Sequence, residues 1–104
     1  MEIYVIKRNG AYKPFESYKI KDAIDKSFNS VSVPSDESVY NIVLGFLEQK
    51  EVWSVEEIQD IIEKTLFEKD YFSVMRSFML FRHTRKLQRE HVEGLNDDTT
   101  YVDS

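Results

Sequence analysis

Apolar residues recur at intervals of three and four in four separate stretches of this chain, and this periodicity constrains its fold most strongly. Such spacing places apolar side chains on one face of a helix. A shorter run of β-branched and aromatic residues, at positions 3–6, precedes all four stretches and is typical of a half-buried strand. The pattern predicts an α+β fold that is mainly α: a four-helix bundle capped by a small β-hairpin or three-stranded sheet.

The first two helices are bounded by serine and proline signals. We expect the first helix from about Ser17 to Asn29, with Ser17 as its N-cap. Pro34 disfavours helical backbone before itself, so Ser35 is the predicted cap of a second helix that ends near Gln49. The predicted buried residues of these helices are Ile20, Ala23, Ile24 and Phe28, then Val39, Ile42, Val43, Phe46 and Leu47.

Gly45 lies inside the second predicted helix. A glycine there costs about 1 kcal/mol relative to alanine. We expect a close approach by a neighbouring helix to compensate for that cost.

The last two helices carry clear boundary signals. Ser54 and Glu57 have the spacing of a capping box, in which each side chain accepts a hydrogen bond from the other residue's backbone N–H. The third helix is expected to stop near Lys69, and Asp70 is the predicted cap of the fourth. The predicted buried residues are Val55, Ile58, Ile62 and Leu66, then Tyr71, Val74, Met75, Phe78 and Phe81, with Leu80 and Leu87 widening the last stripe.

The strand region contains a strong hairpin signal, the dipeptide Asn9-Gly10. A two-residue type I′ turn requires positive φ at both central residues, which these two residues tolerate. Pro14 is accepted only in an edge strand or at a strand end, so the second strand should be brief. We expect residues 50–53 to be extended, as a third strand beside the hairpin, with Trp53 packed beneath it.

Three cations cluster around this predicted hairpin. Lys7 and Arg8 lie at the turn, and Lys19 lies in the first turn of the following helix. A helix N-terminus already carries a partial positive charge, so a lysine there gains nothing structurally. The cluster indicates a site for an anion on free backbone N–H groups. The alternative is a solvated hairpin with scattered surface lysines.

Composition narrows the possible partners. The net charge of −5 argues against bulk attraction to nucleic acid or to anionic lipid, so an anion site must use a local group of cations. The absence of cysteine excludes disulfides, cysteine-based zinc sites and a thiol nucleophile, and it fits a cytoplasmic protein. No apolar run approaches the ~20 residues of a membrane span, and we expect no signal peptide.

Other polar clusters have simpler explanations. The basic end of the fourth helix complements the helix dipole, although a nucleic-acid-binding helix is a sharper alternative that the acidic total disfavours. His83 and His91 are interpreted as surface residues rather than metal ligands. The carboxylates of residues 56–63 are expected to form a solvated helix face. With no nucleophile–base pair and no Walker A loop, we do not expect this chain to be an enzyme.

The chain resembles the ATP-cone, a small nucleotide-binding regulatory domain found at the N-terminus of many ribonucleotide reductases. The resemblance begins with the spaced set Val5-x-Lys7-Arg8-x-Gly10-x-x-x-Pro14-Phe15-x-x-x-Lys19-Ile20. It continues in Val55-x-x-Ile58-Gln59-x-x-Ile62-Glu63 and in Tyr71-x-x-Val74-x-x-Ser77-Phe78-x-Leu80-Phe81-Arg82. The agreement runs in order from about residue 1 to residue 89 and implies a four-helix bundle under a small sheet.

The resemblance also implies a nucleotide site between the cap and the helix ends. Its expected residues are Val5, Lys7, Arg8, Lys19, Ile20, Val55, Gln59, Phe81 and Arg85. Four of them would neutralise a triphosphate: Lys7, Arg8, Lys19 and Arg85. Val5, Ile20 and Val55 would supply an apolar slot for adenine. Gln59 occupies a position often filled by histidine in the family and would bond a base or ribose edge.

By this resemblance, the chain is an allosteric domain that binds ATP or dATP, with Mg²⁺ as a candidate companion. ATP would activate and dATP would inhibit a ribonucleotide reductase. The expected division is an ATP-cone over residues 1–90 and a linker over residues 91–104, toward a catalytic domain that this chain lacks. The expected partners are adenine nucleotides, that catalytic domain and a nucleotide-dependent oligomer, with no membrane and no nucleic acid.

The ending of the chain looks most like the start of an anaerobic, class III ribonucleoside-triphosphate reductase. Its residues 87–90 and Gly94-Leu95-Asn96 follow the basic end of the fourth helix. An ATP-cone of an aerobic reductase subunit is the nearest alternative. A repressor of reductase genes would begin with a cysteine-rich zinc ribbon, which this sequence lacks. A helical protein-interaction module without a ligand remains a separate possibility.

Overall fold

The computed structural model describes residues 2–7 and 9–91, with side chains described as far as Leu87. Two strands open the fold and a third follows the second helix. The elements in chain order are β1 (Tyr4–Ile6), β2 (Tyr12–Pro14), α1 (Ser17–Ser30), α2 (Glu37–Leu47), β3 (Val52–Ser54), α3 (Val55–Glu68) and α4 (Phe72–His91). The predicted α+β class, a helical bundle with a small sheet, is confirmed. The predicted linker lies outside the described residues except for His91, which ends α4.

The sheet has the order β2-β1-β3, so the third strand predicted from the sequence is present. Strand β1 pairs antiparallel with β2 and parallel with β3, where Val5 lies opposite Trp53. The parallel pairing makes the carboxyl ends of β1 and β3 meet at one edge, directly before α3 begins. Trp53 is buried, as predicted, and its Nε1 donates to the carbonyl oxygens of Leu47 (3.0 Å) and Lys50 (3.2 Å).

The predicted two-residue type I′ turn is wrong. Ile6 pairs with Tyr12, and the backbone N–H of Lys7 donates to the carbonyl oxygen of Ala11 at 2.8 Å. Three residues therefore separate Lys7 from Ala11, where a two-residue turn was predicted. Gly10 closes this longer loop with a φ of +88°, and its N–H donates to Lys7 at 2.9 Å. Only glycine takes this backbone conformation without strain, so the glycine signal was informative although the turn type was not.

The helices pack around one hydrophobic core beneath the sheet. Its buried residues are Val5, Ile20, Ala23, Ile24, Phe28, Val39, Val43, Leu47, Trp53, Ile58, Ile62, Leu66, Val74 and Phe78. The predicted faces of α1 and α3 are confirmed, with Val55 partly buried at the start of α3. Between α1 and α4, the rings of Phe28 and Tyr71 meet edge to face with centroids 5.0 Å apart, and the hydroxyls of Ser30 and Ser77 are in contact.

Two predicted helix faces were too wide. Ile42 on α2 is 39% exposed, and Leu80 and Leu87 on α4 are 60% and 50% exposed. On α2 the buried residues recur every four positions, so Tyr40 and Leu44 flank the core instead of Ile42 and Phe46. The remaining predicted residues of α4 are buried or pack against the core: Tyr71, Val74, Met75, Phe78 and Phe81.

Three predicted caps were also wrong. Glu16, not Ser17, is the N-cap of α1 and makes no side-chain capping bond. Asp36, not Ser35, caps α2 by accepting from the N–H of Ser38 at 2.9 Å. Asp70 lies in the left-handed region at φ +64°, in the connection between α3 and α4, and is not a cap. The capping box of Ser54 and Glu57 is confirmed.

Among the described residues, a Cβ built on Gly45 meets no atom within 4 Å apart from its own helix backbone and chain neighbours. The predicted close helix–helix approach at Gly45 is therefore wrong for this part of the chain.

Candidate functional site

The sheet lies at the end of the bundle where α1 and α3 begin. Strand β2 leads into α1 after two residues, and β3 leads into α3 with none between them. Helix α2 returns to this end, since the carbonyl oxygen of Leu47, its last residue, accepts a hydrogen bond from Trp53 of β3. The predicted site residues of β1, α1 and α3 therefore come from chain segments that meet beneath and beside the sheet.

Helix α4 also returns toward the sheet. Only residues 69–71 connect α3 to α4, and so short a link makes the two helices antiparallel. Arg82 of α4 fixes their register, because its Nη1 donates to Asp60 Oδ1 at 2.8 Å and to Glu63 Oε2 at 2.9 Å. Residues after Arg82 therefore lie beside the first turns of α3, at the level of Val55 and Gln59.

The apolar members of the predicted site form part of the core under the sheet. Val5 and Ile20 are buried, and Val55 is partly buried against the same cluster. Ile20 has no exposed surface, so the structure shows it as a residue of the core. The three residues come from β1, α1 and α3 and share one core, and their contact with adenine stays a prediction.

Lys19 is the predicted cation that the structure describes most fully. Its side chain is 14% exposed, and its Nζ lies 2.9 Å from Glu16 Oε1. Burial is the largest single influence and lowers the pKa of Lys19, but the hydrogen bond to Glu16, the charge of Glu16 and smaller contributions together raise that pKa above its ordinary value. Lys19 is therefore a charged ammonium held near the N-terminus of α1, where the helix dipole also favours an anion.

Glu16 is the residue that sequence reasoning left out of the site. It lies between two cations, 2.9 Å from Lys19 and 3.6 Å from Lys13, and their proximity lowers the pKa of its carboxyl group. The side-chain hydrogen bond from Lys19 is the largest cause of this shift. The i,i+3 spacing of Glu16 from each lysine was the sequence signal for this pairing. A phosphate reaching Lys19 would share it with this carboxylate.

Lys7 directly follows β1, is partly buried, and bonds through its backbone to both Gly10 and Ala11. It thus lies at the same sheet edge as Ser54, which precedes α3. Arg8 lies outside the described residues, so its predicted role stays a prediction.

The remaining three predicted residues lie on α3 and α4. Gln59 is 4% exposed, one turn after Val55 on α3. Phe81 packs against the core, and Arg85 lies one turn further along α4, partly buried, with its Nε enclosed by protein. Arg85 thus follows the last apolar residue that packs against the core on α4, and Gln59 lies next to Ile58, the first fully buried residue of α3. Such polar groups inside a hydrophobic core need polar partners.

A cleft of about 260 Å³ runs between α3 and α4 and includes Gln59. Its other lining residues are Glu56, Glu63, Met79, Arg82, His83 and Lys86. Burial lowers the pKa of Arg82, whereas the hydrogen bonds to Glu63 and Asp60 raise it. The net effect is a raised pKa. The predicted carboxylate face of α3 is therefore not wholly solvated, because Asp60 and Glu63 bind this arginine.

A family model described as the ATP cone domain matches residues 3–87 of the chain. The chain belongs to the ATP-cone family. The matched range includes every predicted site residue, and the fold agrees with the four-helix bundle and small sheet that the resemblance implied.

Curated relatives of this ATP-cone are ribonucleotide reductases of three kinds. A vitamin B12-dependent ribonucleoside-diphosphate reductase of Thermoplasma acidophilum is 38% identical over 90% of this chain. An anaerobic ribonucleoside-triphosphate reductase of Salmonella typhimurium is 30% identical over 94%, and a ribonucleoside-diphosphate reductase subunit alpha of Chlamydia pneumoniae is 32% identical over 96%. The chain spans 11–14% of the length of these relatives.

Two further findings bear on partners. Among residues 2–7 and 9–91, no group of three or more histidine, aspartate or glutamate side chains could hold a metal ion. Within the same described part of the chain, no helix combines the length and apolar character needed to cross a membrane.

Proposed function

We propose that this ATP-cone is an allosteric sensor that binds ATP and dATP and controls the overall activity of a ribonucleotide reductase. The observation that carries the proposal is the polar end of the core beneath the sheet. Lys19, Gln59 and Arg85 are buried or partly buried on α1, α3 and α4, and Val5, Ile20 and Val55 belong to or pack against the core that these helices share. An adenosine triphosphate requires this combination, an apolar slot with cations at one end.

The number of cations at the proposed site suits the negative charge of a triphosphate. Lys7, Arg8, Lys19 and Arg85 would supply four positive charges, against one carboxylate at Glu16. Losing one such contact should cost roughly 1.5–3 kcal/mol, a factor of about ten to a hundred in affinity. Mg²⁺ would accompany the nucleotide through its phosphate oxygens.

ATP and dATP differ by a single 2′-hydroxyl. The sensor must therefore use this one group to distinguish an activator from an inhibitor. ATP would permit ribonucleotide reduction, and dATP, an accumulated product, would inhibit it. Gln59, which is 4% exposed on α3, would bond a ribose or base edge. A coupling of about 1–3 kcal/mol between the site and the catalytic domain is enough for such a switch. Nucleotide-dependent oligomerisation would be one way to transmit it.

For the parent protein, we propose a cytoplasmic ribonucleotide reductase. The sequence ending favours an anaerobic ribonucleoside-triphosphate reductase, and relatives of that kind match 94% of this chain. The sequence did not suggest a vitamin B12-dependent reductase as the parent, but the relative of that kind is 38% identical and supports this class of parent equally.

Isothermal titration calorimetry with ATP and with dATP tests the nucleotide site. Lys7→Ala with Lys19→Ala should abolish binding of both nucleotides, because it removes two of the four proposed phosphate contacts, while helical circular dichroism is unchanged. The matched control is Lys21→Ala with Lys64→Ala. Lys21 pairs with Asp25 at 3.3 Å, and Lys64 lies 5.7 Å from the Phe46 ring, so neither is directed at the site. Normal binding by the first double variant would refute the site assignment.

One observation favours a second function, a protein-interaction module without a ligand. Leu80 and Leu87 lie about two turns apart on the outer face of α4, and each is at least half exposed. If the folded domain binds neither ATP nor dATP at near-millimolar concentration, this second function is preferred.

A further inference from the structure

Arg82 was interpreted from the sequence as part of a solvated basic helix end, and the structure gives it a different position. Its side chain is 25% exposed and lies in the cleft between α3 and α4. One nitrogen, Nη1, donates to carboxylates that are one turn apart on α3, Asp60 at 2.8 Å and Glu63 at 2.9 Å. An arginine held by two carboxylates of a facing helix fixes both the separation and the register of the pair.

The consequence for the nucleotide site comes through Arg85. Arg85 lies three residues after Arg82, on the face that continues the buried stripe of Val74, Phe78 and Phe81. A helix advances about 1.5 Å per residue, so the two arginines are about 4.5 Å apart along the axis. Any slip of α4 against α3 would therefore move Arg85 by nearly the same amount. A slip by the rise of one residue, about 1.5 Å, would break a hydrogen bond between an arginine and a phosphate.

We propose that Arg82 is a positioning residue for the nucleotide site: it anchors α4 to α3 through Asp60 and Glu63 and thereby holds Arg85 at the phosphates. This inference rests on the proposed function, since it assigns a role at the same site. Arg82 itself does not touch the nucleotide. Its charge is already balanced by the two carboxylates, which leaves little attraction for a further anion.

A variant of the carboxylates separates positioning from simple electrostatics. Asp60→Asn with Glu63→Gln removes two negative charges near a polyphosphate site. If charge alone mattered, this variant would bind ATP more tightly than the wild type. If Arg82 acts by positioning, the same variant loses the charge-assisted bonds of the anchor, since a neutral amide oxygen accepts only an ordinary hydrogen bond, and it should bind ATP about tenfold more weakly. The two explanations therefore predict changes of opposite sign.

The experiment measures ATP dissociation constants by calorimetry for the 104-residue chain and its variants, with circular dichroism as the folding check. Arg82→Gln should weaken binding about tenfold, a change that Arg76→Gln should not produce. Arg76 is the matched control, because it is an exposed arginine on the same helix. In an Arg85→Gln background, Arg82→Gln should add nothing, because the residue that it positions is then absent.

Each result decides the proposal. Equal or tighter ATP binding by the carboxylate variant overturns it, as does a full additional loss from Arg82→Gln in the Arg85→Gln background. If Arg82→Gln does not fold, the carboxylate variant decides alone, since Asp60 is largely exposed. Failure of the wild-type chain to bind ATP would instead refute the proposed function, and this proposal with it. Wild-type binding with unchanged variants would refute only the positioning role.

Discussion

At the scale of single residues, one carboxylate joins two helices. Asp36 accepts from the backbone N–H of Ser38 at 2.9 Å, which caps α2, and its second oxygen accepts from the Tyr71 hydroxyl at 2.6 Å, just before α4. The hydrogen bond from Tyr71, followed by those from Ser38, lowers the pKa of Asp36 to about 2. The charged form of Asp36 is therefore favoured by folding.

This arrangement makes stability depend on pH in a defined direction. The ordinary pKa of the group is 3.8, so its contribution is fully present above about pH 4. The contribution is lost as the pH falls through about 2, where the folded-state carboxylate also becomes protonated. Asp36→Ala should lower the free energy of unfolding by about 0.5–2 kcal/mol at pH 7, the usual cost of losing an N-cap.

Urea unfolding of the wild type and Asp36→Ala at pH 7 and near pH 2 measures this effect. Asp36→Asn is the control, because its amide oxygen can cap the helix while the charged acceptor for Tyr71 is gone. We expect the Asn variant to lie between the other two proteins at pH 7 and the gap to narrow at low pH. A gap that is unchanged between the two pH values would show that the charge of Asp36 contributes nothing.

At the scale of helices and strands, Gly45 is a weak point of α2. Its position is exposed, and within residues 2–7 and 9–91 a Cβ there would meet no atom of another element within 4 Å. Gly45→Ala should therefore raise the free energy of unfolding by up to about 1 kcal/mol, since alanine restricts the unfolded chain and favours helix. Chemical denaturation measures the change directly.

Gly10→Ala is the contrasting control for the same chemical change. Gly10 also has open space around a built Cβ, but its φ of +88° is strained for alanine. The variant should be destabilised, so the two glycines should respond with opposite signs. If Gly45→Ala is destabilising as well, α2 contacts something at this position that the isolated chain does not include.

The elements also show which features a sequence can specify. The capping box at Ser54 and Glu57 was predictable because both members of the motif lie within four residues of each other. The choice between Ser35 and Asp36 as the cap was harder, since both residue types cap helices and the additional bond of Asp36 to Tyr71 joins positions that are distant in sequence. Similarly, the outward position of Leu80 depends on which neighbours flank α4, and periodicity alone cannot supply that information. For the candidate site, the matching segments and the local pairing of Glu16 with Lys19 could be predicted from spacing, but the pairing of Arg82 with Asp60 and Glu63 depends on how α3 and α4 pack.

At the scale of the whole molecule, a domain of net charge −5 must attract an anion through local charge. Lys7 and Lys19 lie before and after β2 in sequence, so a nucleotide that contacts both, as proposed, requires the folded sheet and α1. Binding is therefore coupled to the complete fold, and a nucleotide should stabilise the native state against unfolding.

This coupling gives a prediction for the melting temperature. At a nucleotide concentration of about 100 times the dissociation constant, ATP should add about 2.7 kcal/mol of stability. For a domain of this size, that corresponds to an increase in melting temperature on the order of 10 °C. AMP should give a smaller shift at the same concentration, because it lacks the phosphates that the cations neutralise. Thermal unfolding followed by circular dichroism measures both shifts.

Inorganic triphosphate distinguishes the two halves of the site. It offers the charges of ATP without an adenosine, so it should stabilise the domain less than ATP if Val5, Ile20 and Val55 form part of the nucleotide contact. Lys7→Ala with Lys19→Ala should remove the shift by either compound. Equal shifts by ATP and triphosphate would mean that the apolar wall beneath the sheet serves only the core. Selectivity for adenine would then have to arise elsewhere on the molecule, outside the residues that the sheet and the helix starts bring together.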